Sequence, residues 1–201
     1  MHYAISYQTD LYDFLVSTSR KKLLKHQLIC VEQGLVLVKL GKLEYTVEAG
    51  EAFWLPFDVL TSVTFTPATL VRSVQVSSRV TLSLPKQGGY VELNELSSAI
   101  LNRLATLADN RDAQVDLLAV LRHELTSLKP LLKENKFTKA VNQWQAKQPS
   151  QLPNELQLVL TVREASKQMK SGKKREDVVA TLFDGNESLL SGLEQAILGA
   201  N

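Results

Sequence analysis

Chemistry needs side chains that ionise, attack or coordinate. The three histidines, His2, His26 and His123, lie far apart in sequence. None shares a short motif with Asp or Glu, so the closely spaced imidazoles that mark a metal site on strands are missing. His123-Glu124 in "LRHEL" has no second histidine at helical spacing, which removes the zinc-hydrolase pattern. The single cysteine, Cys30, lies in the apolar run "LICV", where a buried, inert thiol is expected. His26, at the start of a strand, reads as a solvated or capping group. There is no G-x-S-x-G elbow and no Gly-rich phosphate loop, and the carboxylates are scattered. Lys173, Lys174 and Arg175 stand next to Glu176-Asp177 and read as a solvated helix entry. The sequence therefore predicts no catalytic residues, no metal ligands, no cofactor and no enzyme.

The rest of the chain must hold something other than a reaction centre. Its 201 residues are 44% apolar, enough to bury a core. Net charge is +2 and evenly spread. Residues 1–89 carry 9 basic and 7 acidic side chains, 90–150 carry 8 and 7, and 151–201 carry 6 and 7. Duplex binding leans on clustered Lys and Arg, and no segment has them. The start "MHYAISYQTD" lacks the basic and apolar regions of a signal peptide, and no apolar run is long enough to span a bilayer. The expectation is a cytoplasmic protein with no membrane contact.

Up to Pro85 the chain reads as short strands. In "KLEYTVE", Leu43, Tyr45 and Val47 alternate with polar residues, the pattern of a half-buried strand. Gly41-Lys42 suits a hairpin turn, and residues 48–51 and 66–69 suit two more. "LVRSVQVS" alternates less cleanly, and "VTLSLP" puts Val80, Leu82 and Leu84 on one face. Six or more strands at this spacing predict a barrel or sandwich. After Gly88-Gly89 the period becomes helical. Leu93, Leu96, Ile100, Leu104 and Leu107 form one stripe, and Leu118, Leu121, Leu125 and Leu128 another, with Asn110 and Asp112 as caps between them. Pro130 opens a further helical stretch with Phe137, Val141 and Trp144. "QPSQLPN" is a linker or turn, Pro153 starts a helix that Gly172 stops, and two short helices follow.

The stretch "HQLICVEQGLVLVKLGKLEYTVEAGEAFWLPFDV" resembles the cupin-like N-terminal sensor barrel of AraC-type bacterial transcription regulators. Gly34, Gly50, Trp54 and Pro56 carry the match. At residues 59–61, where related barrels often carry a histidine, this chain has Val59, Leu60 and Thr61. "VDLLAVLRHELTSL" is similar to the helix that follows the barrel and contributes to dimerisation in that family. The tail is similar in spacing to the second of the family's two helix-turn-helix units. Val162, Ala165, Met169 and Gly172 match its connecting helix, Asp177 and Val178 the next, and Ser188, Leu190 and Gly199 the last. Arg175, Phe183-Asp184, Gly192 and Glu194 depart from it. The first unit is missing.

The resemblance implies an α+β protein, with a cupin-like β-barrel over 1–88, linker or dimerisation helices over 89–150, and a degenerate helix-turn-helix-like tail over 151–201. It implies an AraC-like regulatory protein that senses a small molecule in a metal-free barrel or a protein partner through its tail. The alternatives are a working DNA-binding regulator and, last, a cupin enzyme. The two leucine stripes must be buried, either on the barrel or in a helix-pair interface; a homodimer is expected through Leu117, Leu118, Leu121 and Leu125. Direct DNA binding is expected to be weak, because residues 188–198 offer no Arg, Lys or Asn to a base edge.

Overall fold

The computed structural model describes residues 4–107 and 110–199. In chain order the strands are β1 (Ile5–Tyr12), β2 (Val16–Ser17), β3 (Lys21–Lys22), β4 (Lys25–Gln33), β5 (Leu35–Leu40), β6 (Leu43–Glu48), β7 (Ala52–Leu55), β8 (Leu60–Phe65), β9 (Thr69–Ser77) and β10 (Gly89–Val91). They form two antiparallel sheets, ordered β1-β9-β4-β7-β10 and β2-β8-β5-β6, with β3 also on β8. The chain crosses between the sheets after β1, β3, β4, β6, β7 and β8, as in the jelly-roll class to which cupins belong. β10 pairs with β7, so the first sheet runs three residues past the boundary expected at 88.

Local chemistry accounts for the turns. Leu40 pairs with Leu43, and Gly41 takes φ +59 at the first position of the two-residue loop, where a hairpin needs a glycine. Gly34, at φ +82, lies so close to β9 that a Cβ there would sit 2.5 Å from Thr69 Oγ1. That approach brings the Thr69 hydroxyl to the Leu35 backbone, joining the two sheets at one end. Between the sheets, Ile29, Val31, Val36, Val38, Phe53, Val63, Phe65, Val71 and Tyr90 form one cluster.

Both faces of the first sheet are covered. Its outer face carries Leu28, Cys30, Trp54, Val74 and Val76 against helices α1 (Glu95–Thr106) and α2 (Arg111–Glu124). Asn94 and Asn110 cap these helices, the latter by accepting the Ala113 N–H at 3.2 Å; Asp112 lies inside the first turn rather than at the cap. The α1 face is rotated relative to the expected stripe: Ser97 and Leu101 are buried, and Leu96 is 49% exposed. Leu121 and Leu125 have no exposed surface, since both insert between α1 and the sheet; Leu117 and Leu118 pack partly against the same cluster. Of the four leucines expected at a dimer contact, Leu117 and Leu118 keep some exposed surface and Leu121 and Leu125 keep none. The leucines of α2 fill their own chain's core, and Leu121 and Leu125 have nothing left to offer a second copy.

Two other expectations change. Val80, Leu82 and Leu84 alternate but form no strand. They pack on the helix-facing cluster, while the Trp54 indole N–H donates to the Pro85 carbonyl at 3.0 Å and pins the segment. Pro130 opens no helix: Leu131 exchanges backbone hydrogen bonds with Tyr90 along the β10 edge, and α3 (Lys136–Gln143) begins only after the Asn135 cap. α3 packs along β6, and α4 (Asn154–Lys170) follows Pro153 and ends before Gly172. α5 (Arg175–Leu182) and α6 (Glu187–Leu198) fold back on the second half of α4 around Ala165, Val178, Val179, Phe183 and Leu190. Among the described residues no helix is long and apolar enough to cross a membrane.

His26 helps hold the lower end of the first sheet. Its ring stacks on Trp54, and Nδ1 accepts the Phe57 N–H at 3.1 Å. That bond needs an unprotonated nitrogen, and burial pushes the imidazole below its usual value. The unfolded chain therefore takes up a proton below about pH 6.5 that the folded chain resists. The stability this provides is present above that pH and is lost as pH falls through the lowered folded value. Urea midpoints measured from neutral to mildly acidic pH should fall more steeply for the wild type than for His26→Gln.

A second measurement tests the burial of α2. Leu121→Asp or Leu125→Asp places an unpaired carboxylate in the core and should reduce unfolding free energy by more than about 3 kcal/mol. A folded, merely dissociated variant is not expected.

Candidate functional site

A cavity of about 200 Å³ opens on the inner face of the first sheet, where β1, β9 and β4 lie side by side. Its polar lining comes from Gln8 and Asp10 on β1, Gln27 on β4, and Ser73 and Gln75 on β9. Register explains the grouping. Gln8 pairs with Ser73, and Ser73 with Ile29; Gln75 pairs with Gln27; Asp10 pairs with Val71. Paired residues share a face, so all five polar side chains point between the sheets. Tyr12, Ile29, Phe65 and Val71 complete the wall, and the Tyr12 and Phe65 rings stack with centroids 3.9 Å apart.

Much of the hydrogen-bonding capacity here is turned to the cavity. Ser73 is buried, and neither its hydroxyl nor the Gln27 amide has a partner among the described residues. Gln75 accepts from Lys25 Nζ at 3.2 Å through Oε1, leaving its two amide protons. Gln8 donates to Asp10 at 2.5 Å. Asp10 is the sole carboxylate in the lining, which holds no His or Cys, so this set does not make the three or four ligands of a zinc site. Among the described residues no three His, Cys, Asp or Glu side chains come together as a metal-holding group.

None of these five residues was singled out from the sequence, although the signal was present in "LVRSVQVS". Val71, Ser73 and Gln75 share one face, and Arg72, Val74 and Val76 the other. Helices cover the apolar side, so the polar side turns inward, the reverse of the usual assignment for a strand with one wet face. The residues at the histidine-bearing position of related barrels serve structure. Thr61 is buried and donates to the Lys39 carbonyl at 2.9 Å, and Val59 packs against the inter-sheet cluster. Burial pushes the Cys30 thiol up to about 12, so it is no nucleophile at neutral pH. His123 is exposed on α2.

A wider groove of about 750 Å³ lies outside the same sheet. Its floor is the cross-strand row Cys30, Ala52 and Val91, and α1 and the segment around Leu131 form its walls. Arg72 there is engaged with Glu32 at 2.8 Å and Asn102 at 2.7 Å. Its charged residues, Arg72, Lys129 and Lys133 against Glu32, Glu51 and Glu92, balance.

The tail brings together two residues that depart from the helix-turn-helix pattern. Arg175 donates to both Glu194 oxygens at 3.0 and 2.7 Å, and to Glu187 at 2.6 Å. Glu194 first, and Glu187 second, hold the guanidinium above its ordinary pKa. An ionic fork thus stands where two apolar side chains are expected. The tail also touches the barrel. The Leu15 N–H donates to the Ile197 carbonyl at 2.7 Å, the Phe14 ring lies against Gly199, and Arg163 forks onto Glu44 at 2.8 and 2.9 Å.

No protein-family model matches the sequence, and no curated protein matches it. Solved structures similar to part of the chain include a cupin superfamily protein from Desulfitobacterium hafniense, at 8% identity over 39% of this chain and 72% of that one, with a TM-score of 0.36. An RmlC-like cupin from Shewanella frigidimarina is similar at 15% identity over 39% and 71%, with a TM-score of 0.35. KdgF from Halomonas is similar at 19% identity over 38% and 73%, with a TM-score of 0.34. These scores place cupin-fold proteins beside this chain as partial likenesses. The chain's own two antiparallel sheets carry the cupin-like arrangement in their strand order and pairing.

Proposed function

We propose that this chain is a non-enzymatic regulatory sensor. It binds a small, neutral, polar molecule between its sheets and passes the occupied state to its helical tail. The observation that carries this is the inward-facing set Gln8, Gln27, Ser73 and Gln75, whose amides and hydroxyl line one partly open cavity between the sheets. The volume equals that of about six waters and suits a compact molecule rich in hydroxyl or amide groups. Asp10 disfavours an anion in the cavity.

The route to the tail runs along β1. Tyr12 lines the cavity, and the next residues, Phe14 and Leu15, contact the end of α6. A ligand that shifts the stacked Tyr12 and Phe65 rings therefore also moves the segment on which α6 rests. The tail then acts on a protein partner. α6 exposes Leu189 and lacks basic residues, and the Arg175 fork already occupies Glu187 and Glu194.

Thermal-shift screening with neutral polyols, small sugars and amides should raise the melting temperature for at least one compound. Gln27→Leu and Ser73→Val should abolish that shift while keeping the fold. A ligand whose binding is indifferent to both changes places the site elsewhere.

A helix-turn-helix-like pair, α5 and α6, keeps a DNA-binding regulator as the second reading. Anisotropy titration of genomic fragments at physiological salt should give weak binding without sequence preference. Tight, selective binding would favour that second reading.

A further inference from the structure

We infer that β1 is the self-association edge of this protein, and that a second copy of the chain extends the first sheet across a two-fold axis. The other strand edges are closed. At β10, Leu131 bonds Tyr90 in both directions, at 3.0 and 2.9 Å. At β6, Asn142 and Thr138 of α3 bond the backbones of Glu44 and Thr46. The remaining edge of the second sheet is broken into the two-residue pieces β2 and β3. β1 differs from all of these: it pairs with β9 alone, through eight consecutive residues with no shift in register.

A regular edge of this length, roughly 27 Å, is a template for another strand unless something blocks it. The usual blocks are proline, lysine, a bulge or a covering loop. "ISYQTDLY" has no proline and no basic residue, and its one charge is Asp10. Leu11 is 59% exposed on the outer face.

The sequence also fits itself. A two-fold axis perpendicular to the sheet keeps outer residues with outer and inner with inner. With Thr9 on the axis, Thr9 faces the partner's Thr9, and Tyr7 faces the partner's Leu11. Asp10 then faces the partner's Gln8, an acceptor opposite an amide donor, and no like charges meet. α2 packs over β1, so the same axis sets the two α2 helices side by side and gives the exposed Val120 a neighbour. The contact is thus a strand pair flanked by a helix pair, and the buried leucines of α2 stay within each copy. This inference needs no ligand, although Gln8 and Asp10 also line the cavity.

The test is sedimentation equilibrium of the full chain. Thr9 is exposed, so Thr9→Lys leaves the fold intact while placing two cations opposite each other on the axis. Its own-sheet neighbour Arg72 is already paired with Glu32. The wild type should be a dimer. Thr9→Lys, Thr9→Glu and Leu11→Lys should each weaken association by about tenfold or more, with unchanged circular dichroism. Mixing Thr9→Lys with Thr9→Glu should restore a dimer of one copy of each, which only a Thr9-on-Thr9 register explains. A wild-type monomer at the highest attainable concentration overturns the inference, as does a dimer that survives all three changes.

Discussion

The architecture hangs on how the free edge of β6 is satisfied. A strand at a sheet edge presents N–H and C=O groups that water or another chain must bond. Here a helix does so with its side chains. Asn142 accepts the Glu44 N–H at 2.9 Å and donates to the Glu44 carbonyl at 2.8 Å, as a neighbouring strand would. Thr138 accepts the Thr46 N–H at 3.2 Å, and the Tyr90 hydroxyl donates to the Thr46 carbonyl at 2.6 Å. These groups are buried or partly buried, so losing a partner would cost about 1–3 kcal/mol each. This fixes α3, and α3 fixes the start of α4 through Val141, Leu152, Leu156 and Leu160. The Arg163–Glu44 fork closes the loop, tying α4 to the same strand. The polar edge thus anchors α3 and α4, and the contacts of Leu15 and Phe14 with the end of α6 hold the far end of the tail.

The second organising fact is that the first sheet is buried on both faces. One face meets the second sheet and the other meets α1 and α2. Such a sheet has no dry and wet side to sort residues simply. At the β1 end the inner layer turns polar, and the outer layer stays apolar under the helices. The cavity is a consequence of that inversion: Gln27 and Gln75 take positions where leucine or valine would fill the space.

The elements with local signals were legible in the sequence. The β5–β6 hairpin shows in the alternation of Leu43, Tyr45 and Val47 and in Gly41. Asn110, Pro153 and Gly172 mark helix ends because their backbone and capping preferences are local. What could not be read depends on partners distant in sequence. A leucine stripe such as Leu118-Leu121-Leu125 looks the same whether it meets its own sheet or a second copy. Val80, Leu82 and Leu84 alternate like a strand, but their side chains pack on the helix-facing cluster and the backbone joins no sheet. Of the candidate site, only the absence of paired histidines was visible. Ser73 and Gln75 sat in an imperfect alternation whose meaning depends on which face the helices cover. Arg175 and Glu194 looked like two separate departures, and only the crossing of α5 and α6 makes them one interaction.

That ionic fork gives the two halves of the molecule different physical temperaments. The sheets are held by apolar burial, which excluded salts such as sulfate strengthen. The end of the tail leans on Arg175 and its two glutamates at a partly open site, where dissolved ions screen attraction within a Debye length of about 8 Å at physiological strength. Salt should therefore weaken the Arg175 fork while the apolar contacts of the sheets, and those of Ala165, Val178, Phe183 and Leu190 beneath the fork, persist. Ionic strength becomes a probe that separates the ionic part of the α5–α6 corner from its apolar part.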